Sequence, residues 1–359
     1  MRIAISTGGG DAPGLNAVIR AVVLSAYYRG WKSYGIQRGY EGLLSFNGVV
    51  PLGPAEVRGI THLGGTILGT TNRGNPFRYV MRREGGEEYE LDRSDDLVAA
   101  FRASGFDAMI SIGGDGSLQI SHDLWRKGLP IVGVPKTIDN DVSGTQRTFG
   151  FDSAVATATE AIDKLHSTAE SHDRVMVVEL MGRYAGWITL YSGLSGSADV
   201  ILLPEIPFDM EKVCEKIRSR EAAGRHFSIV VVAEGARPRD GTVELVERRG
   251  VGTVDRLGGI ASKVARTIEH HTGKETRTLV LGHLQRGGSP TTYDRLLALR
   301  FGAAAVRAIA DGAFGTMVGL NGPDITRVPL EQVVGRSKNV PLDSDTIRTA
   351  RDLGISLGD

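Results

Sequence analysis

The stretch DAMISIGGDGSLQISHDLWRKGLPIVGVPKTIDNDV (107–142) decides the fold. It reads as a strand (107–112), a glycine-rich turn, a helix (117–127), a second strand (130–134) and an acidic loop. Both strands run apolar without a polar alternation, which predicts burial on both faces and therefore parallel pairing beneath helices. The same rhythm extends outward in both directions. Strands are expected at 2–6, 32–37, 175–180, 227–234 and 277–282, with helical patterns at 13–29, 94–104, 152–170, 209–222, 258–272 and 292–311. Such alternation predicts an α/β chain of two doubly wound, mostly parallel sheets with helices on both faces. In these sheets ligands bind beyond the carboxyl ends of strands. Here TGGGDAPG, GGDGS, KTIDND, MGRYAG, EGARPRD and GHLQRGGSP each follow a strand, so an active site in the cleft between domains is expected.

With 359 residues the chain is too long for one small core, and two domains are the natural expectation. A composition of 41% hydrophobic and 23% charged residues fits a soluble globular protein. The formal net charge of 0 gives no electrostatic basis for binding nucleic acid or an anionic membrane. The single cysteine, Cys214, excludes an internal disulfide framework and fits a reducing cytoplasm. Its setting, MEKVCEKIRSR, predicts a buried structural thiol and not a nucleophile. No apolar run approaches the length of a membrane span, and the opening MRIAISTGGGDAP lacks a signal-peptide pattern.

Three clusters carry candidate chemistry. TGGGDAPGLNAVIR (7–20) offers backbone N–H groups and a helix start to an anion, although an ordinary tight turn reads the same way. In GGDGS (113–117), Asp115 can hold Mg²⁺ through one carboxylate while phosphates and waters complete the shell; the alternative is a helix cap near Ser117. In PKTIDNDV (135–142), Asp139 and Asp141 face one way if the segment is extended. Paired carboxylates suit a division between proton acceptor and metal neighbour. Turn chemistry is the plain alternative, but two acidic loops at adjacent strand ends favour catalysis.

The cations match that picture. Arg73 lies in GTTNRGNPF, Arg174 precedes VMVVEL, Arg183 is in MGRYAG, Arg277 precedes TLVLGH, and His283 and Arg286 flank LQ. Guanidinium forks fit phosphate oxygens, so the set describes a site for two phosphorylated ligands with Mg²⁺, and Glu234 suits a sugar hydroxyl. His270 and His271 read as helix-end residues, and HSTAESH (166–172) lacks a zinc ligand set. RREGGEEYELDRS (82–94) and RPRDGTVELVERRG (237–250) read as surface hairpins or loops.

Taken in order, GGDAPGLNAVIR, GGDGS, PKTIDND, MGRYAGW and GHLQRGGSP resemble the 6-phosphofructokinases over about residues 1–310. The resemblance implies phosphoryl transfer from ATP to the 1-hydroxyl of fructose 6-phosphate, giving fructose 1,6-bisphosphate. It implies that Gly10, Arg73, Gly74, Gly114, Asp115, Gly116 and Ser117 contact the nucleotide, with Asp115 on Mg²⁺. Asp139 would be the base, with Lys136, Thr137, Asp141 and Arg183 supporting the transferring group. Thr137, Ile138, Asp139, Met181, Gly182, Arg183, Glu234, His283, Leu284, Gln285 and Arg286 would line the sugar pocket. Arg174 and Arg277 would reach the sugar phosphate across the interface of a homodimer or homotetramer. The donor unit would comprise 1–150 plus about 284–335, and the acceptor unit 151–283 plus about 336–359.

Within that family the ATP users commonly carry glycine both after GGD and before TIDND, whereas pyrophosphate users commonly carry aspartate and lysine. This chain combines Gly116 with Lys136. An aspartate at 116 would crowd and repel the α-phosphate region of a nucleotide, so ATP is expected, with pyrophosphate the alternative. The remaining alternatives are another sugar or lipid kinase, disfavoured by MGRYAG with GHLQRGG, and a non-catalytic phosphate-ligand sensor, disfavoured by the intact Asp115 and Asp139. Leu24 and His166 occupy places where allosteric bacterial members often carry arginine, so the usual response to phosphoenolpyruvate or ADP is not expected.

Overall fold

The computed structural model describes residues 1–71, 74–247 and 256–359. The chain opens on β1 (Arg2–Thr7) and turns through Gly14 into α1 (Leu15–Tyr27). β2 (Lys32–Ile36), the short α2 (Glu41–Leu44) and β3 (Val49–Leu52) follow. Next come an antiparallel hairpin of β4 (Tyr79–Arg82) and β5 (Glu88–Leu91), and α3 (Ser94–Ala103). The deciding stretch forms β6 (Ala108–Gly113), α4 (Asp115–Arg126) and β7 (Ile131–Pro135).

Beyond it lie α5 (Phe151–Ser171), β8 (Val175–Leu180), α6 (Trp187–Ser195), β9 (Val200–Leu202), α7 (Met210–Ala222) and β10 (Ser228–Ala233). A short pair, β11 (Leu245–Glu247) and β12 (Arg256–Leu257), leads to α8 (Ile260–Thr272) and β13 (Thr276–Val280). A 3-10 turn (Gly282–Arg286), α9 (Thr292–Ala310), β14 (Thr316–Asn321), β15 (Asp324–Pro329), α10 (Leu330–Val333) and α11 (Asp345–Asp352) complete the chain.

The larger sheet has seven strands in the order β15-β14-β7-β6-β1-β2-β3. Its inner neighbours are parallel, and only the edge strands β3 and β15 run antiparallel. The smaller sheet, β13-β8-β10-β9, is parallel throughout. Period-two geometry explains why apolar runs were needed. Ile3, Ile5, Ile110, Ile112, Val132 and Val134 enter the core that also holds α1 and α9, whereas Ala4, Met109 and Ile131 enter the core holding α3. In the smaller sheet Val178, Ile201, Ile229 and Val231 pack with α5 and α6, while Val177, Val200, Val230 and Val232 pack with α7 and α8. Val340, Ile347 and Leu357 join the α5–α6 side, so the chain recrosses from the edge of the larger sheet to the smaller one.

Several elements were not anticipated from the sequence: β3, β9, β14, β15 and α6. β3 carries Pro51, which an edge strand tolerates but which weakens a strand reading. β9 spans three residues, too few for a pattern. The β14–β15 hairpin closes at Asn321↔Asp324 around Gly322 (φ 58°) and Pro323, so its Gly-Pro dipeptide was a usable turn signal. α4 begins at Asp115, ahead of the expected 117. Cys214 is buried, as the helix pattern predicted. The segment 82–94 forms the expected hairpin in part, and within 237–250 residues 248–250 lie outside the described residues.

The two sheet layers meet where α5 and α9 begin. Asp294 is fully buried and accepts hydrogen bonds from the backbone N–H (2.8 Å) and hydroxyl (2.7 Å) of Ser153. Thr291 Oγ1 returns a bond to Asp152 Oδ2 (2.6 Å). Asp294 of α9 thus caps the start of α5, whereas α9 is capped by its own Thr291, whose hydroxyl accepts from Asp294 N–H (3.3 Å). α1 and α9 approach closely because Gly302 has no side chain: a Cβ there would lie 2.7 Å from both Ala21 Cβ and Val18 O. Gly302→Val should therefore destabilise the protein by about 1–3 kcal/mol, read as a lower midpoint in denaturant unfolding.

Candidate active site

The carboxyl ends of β1, β6 and β7 lie side by side, and their loops form one wall of the site. After β1, Gly8 N–H still donates to Ile112 O (2.9 Å). The loops after β1 and β6 touch through Ser117, since a Cβ on Gly8 would sit 2.8 Å from Ser117 Oγ and one on Gly113 2.2 Å from Ser117 Cβ. No larger residue fits this approach. Gly114 precedes α4 without any side-chain cap, so the first-turn N–H groups of that helix remain available to an anion. Asp115 is therefore in the first turn and is not the cap. Among the described residues its carboxylate has no hydrogen bond or ion pair; burial and then the charge of Asp141 raise its pKa.

β7 delivers Lys136 and the acidic loop. Lys136 N–H donates to Gly113 O (2.8 Å), and its buried ammonium donates to Gly10 O. Burial, then Arg286, pushes the Lys136 pKa down to about 8. Asn140 adopts φ 52°, so the Asp139–Asp141 segment is not extended, contrary to the geometry on which the shared-face expectation rested. The loop is instead folded on itself. Asp139 N–H donates to Thr137 Oγ1 (3.1 Å), Thr148 N–H to Asn140 Oδ1 (3.1 Å), and Thr148 Oγ1 to Thr137 O (2.7 Å).

The two carboxylates still act on each other. Burial, then Asp141, raises Asp139 to about 7, against the pull of Arg286 and Lys136. Asp141 is likewise raised by burial. Each has a buried Oδ1 without a hydrogen-bond partner among the described residues.

The opposite wall comes from the smaller sheet. Gly182 (φ 145°) follows β8, and its carbonyl accepts from Gly235 N–H (3.1 Å). A Cβ on Gly235 would lie 2.0 Å from Arg183 O, so this crossing of loops requires glycine. Glu234 N–H donates to Leu180 O (2.8 Å); burial, then Glu179, raises its carboxyl pKa, while Arg286 and Arg183 lower it. Arg286 joins the walls. Its Nη1 donates to Asp11 O (3.1 Å), and it lies against Gly10. Gln285 is buried beside it, with Oε1 unpartnered among the described residues.

Not every expected residue joins this cluster. Ile138 is buried in the core of the smaller sheet, so only its backbone can meet a ligand. Met181 packs partly on that same core, and His283 and Leu284 are exposed, Leu284 at 69%. Gly74 is buried near Thr71 Cγ2, and Arg73 lies outside the described residues. Arg174 and Arg277 sit at the amino ends of β8 and β13, the edge opposite the cluster, where both pair with Glu275 (2.9 Å from Arg174). His166 Nε2–H donates to Gly196 O (2.7 Å), and Leu24 packs on the core of the larger sheet.

Lys338 was missed. It comes from a segment with no motif, yet its ammonium donates to Asn140 Oδ1 (3.0 Å), Thr145 O (2.8 Å) and Gln146 O (3.1 Å). Burial, then Arg147, pushes its pKa down to about 7. Among the described residues no three His, Cys, Asp or Glu side chains gather as a metal site. A cation here would need oxygens from a ligand as well as Asp115. A base near neutrality, a helix N-terminus and converging cations suit transfer of an anionic group to a hydroxyl.

A phosphofructokinase family profile matches residues 2–309. The chain is 54% identical over 361 residues to the ATP-dependent 6-phosphofructokinase of Chloroflexus aggregans, covering 100% of this chain and 98% of that one. It is also 51% identical over 344 residues to the pyrophosphate–fructose 6-phosphate 1-phosphotransferase of Streptomyces coelicolor, covering 95% and 96%. Among solved structures it is similar to Pichia pastoris phosphofructokinase in the T-state, with TM-score 0.79 and 32% identity over 99% of this chain and 37% of that chain.

The raised Asp139 pKa makes a stability prediction. Between about 4 and 7 the folded protein holds a proton that the unfolded chain has released, so this group's contribution to stability falls as pH rises through that window. Asp139→Asn removes the buried charge. It should be about 1–3 kcal/mol more stable than the wild type at pH 8, with the gain shrinking towards pH 5, in denaturant melts at both values.

Proposed function

This chain belongs to the phosphofructokinase family, and from that premise we propose that it transfers the γ-phosphoryl group of ATP to the 1-hydroxyl of fructose 6-phosphate. The products are ADP and fructose 1,6-bisphosphate, a step of glycolysis. The observation that carries this reading is the buried Asp139, raised to about 7 and flanked by Lys136 and Arg286. A base of that pKa is ionised for a useful fraction of molecules near neutral pH and still strong enough to accept a hydroxyl proton. The sugar oxygen attacks the γ-phosphorus, its proton passes to Asp139, and the bond to the ADP oxygen breaks. Lys136, Arg183 and Arg286 supply positive charge as negative charge spreads over the transferring oxygens. Thr137 holds the base through the Asp139 N–H.

The donor side is the wall of Gly10, Gly74, Gly114, Gly116 and Ser117, with Arg73 assigned by resemblance alone. The start of α4 receives donor phosphates. Asp115 would hold Mg²⁺, which supplies charge neutralisation on the donor oxygens when bound. Its unpartnered carboxylate beside the charge of Asp141 suits such a cation. Thr137, Ile138 (backbone), Met181, Gly182, Glu234, His283, Leu284, Gln285 and Arg286 form the acceptor side. We assign 1–150 with about 284–335 to the donor unit, and 151–283 with about 336–359 to the acceptor unit. Arg174 and Arg277, facing away from their own cluster, are assigned to the sugar phosphate of a neighbouring subunit in a homodimer or homotetramer. The cytoplasm suits the single buried thiol.

The donor assignment turns on Gly116. A Cβ there meets nothing within 4 Å, so the space in front of α4 is open to a nucleotide. Lys136 and the Streptomyces coelicolor relative favour pyrophosphate as a second reading. Steady-state assays with ATP and with pyrophosphate at matched Mg²⁺ separate the two; turnover with pyrophosphate alone would remove the ATP assignment.

Gly116→Asp should leave the fold intact and lower kcat/KM for ATP by about tenfold or more, through like-charge repulsion. Asp139→Ala should reduce kcat by about 1,000-fold or more, with fructose 6-phosphate binding by calorimetry little changed. Near-normal turnover of that variant would overturn the base assignment.

A further inference from the structure

The acidic loop is held by a residue outside every recognised motif. Lys338 lies between α10 and α11, on a segment that runs antiparallel against the loop: Val142 bridges to Ser337, Ser143 Oγ donates to Arg336 O (2.8 Å), and Lys338 N–H donates to Asp141 O (2.8 Å). The segment is itself fixed to the acceptor side. Trp187 Nε1 donates to Lys338 O (2.8 Å), and Glu205 accepts from both Val340 N–H (2.8 Å) and Gly186 N–H (3.0 Å). From this anchored position the ammonium reaches back to Asn140, the residue with left-handed φ between the two aspartates.

An ammonium has three protons, and Lys338 places hydrogen bonds on three acceptors, Asn140 Oδ1, Thr145 O and Gln146 O. No proton remains to bind a substrate. Asn140 Oδ1 is shared with Thr148 N–H, so the cation and that amide together fix the Asn140 side chain and the turn it makes. The backbone on either side then carries Asp139 and Asp141 in one orientation. Without the cation, two backbone carbonyls would lose this donor and Asn140 Oδ1 would keep only Thr148 N–H, so the turn would be less tightly held.

We propose that Lys338 is a positioning residue for phosphoryl transfer: by bonding Asn140, Thr145 and Gln146 it holds the Asp139–Asp141 turn and ties it to the acceptor side. This rests on the reading of Asp139 as the base. A base displaced by about 1 Å can lose about 100-fold in rate, whereas groups that touch the substrates from other elements keep their places. The effect belongs in kcat and not in KM.

The test compares Lys338→Met, Lys338→Cys and Asp139→Ala with the wild type in the same ATP and fructose 6-phosphate assay. Lys338→Met and Lys338→Cys should lower kcat by about 30- to 100-fold, with both KM values within about threefold. Alkylating Lys338→Cys with 2-bromoethylamine rebuilds an ammonium at the reach of lysine and should restore kcat to within about threefold of wild type. Iodoacetamide, which adds no cation, should not; the buried Cys214 of the wild type controls for other alkylation. The proposal fails if kcat stays within threefold in both variants, if KM rises while kcat is kept, or if both reagents restore activity equally. Should Asp139→Ala retain turnover, the base assignment itself fails; loss in Asp139→Ala without loss in the Lys338 variants sinks only the lysine.

Discussion

One guanidinium joins what the two sheets would otherwise hold apart. Arg286 stands on the 3-10 turn after β13, on the acceptor wall, and donates to Asp11 O on the loop after β1, on the donor wall. Its charge acts on three ionisable groups from the loops after β7 and β10: it lowers Lys136, Asp139 and Glu234 alike. For the two acids that pull opposes burial, and for the lysine it adds to burial. The site's proton chemistry thus depends on how the two walls are spaced, because one cation sets the field for both.

That field is costly to maintain. Asp139, Asp141, Lys136 and Glu234 are removed from water without forming close ion pairs among the described residues, and burial is the largest influence on each. Fixed, under-compensated charge destabilises the unliganded protein, and a binding site accepts that in return for interactions made only with ligand present. The rest of the structure is correspondingly firm. Fully buried strands, the tight α1–α9 contact at Gly302 and the hydrogen bonds from Ser153 to Asp294 at the start of α5 hold the walls that carry these groups.

Much of this was legible in the sequence, for identifiable reasons. Apolar runs on β1, β6, β7, β8 and β10 announced a parallel sheet because both faces had to be buried, and parallel pairing sends their loops to one edge. That logic placed Asp115, Lys136, Asp139 and Glu234 together. It failed where position along a strand matters more than proximity to one: Arg174 precedes β8 and Arg277 is the second residue of β13, so both lie at the far edge with Glu275. Ile138 lies inside a motif but points into the core, since a motif letter does not say which way a side chain faces. The turn at Asn140 was legible only as the alternative of turn chemistry, to which asparagine is suited, while the partners that hold its side chain, Thr148 and Lys338, left no local signal. Lys338 had no signal at all; a lone lysine between short helices looks like a solvated surface residue.

Gly116 has a different kind of consequence. A side chain at that position meets no neighbour, so substitutions there leave packing, and hence foldability, untouched. Positions that face a ligand but carry no packing are where a lineage can change chemical preference in a single step without first accumulating stabilising mutations. The donor preference proposed for Gly116 would sit on such a position.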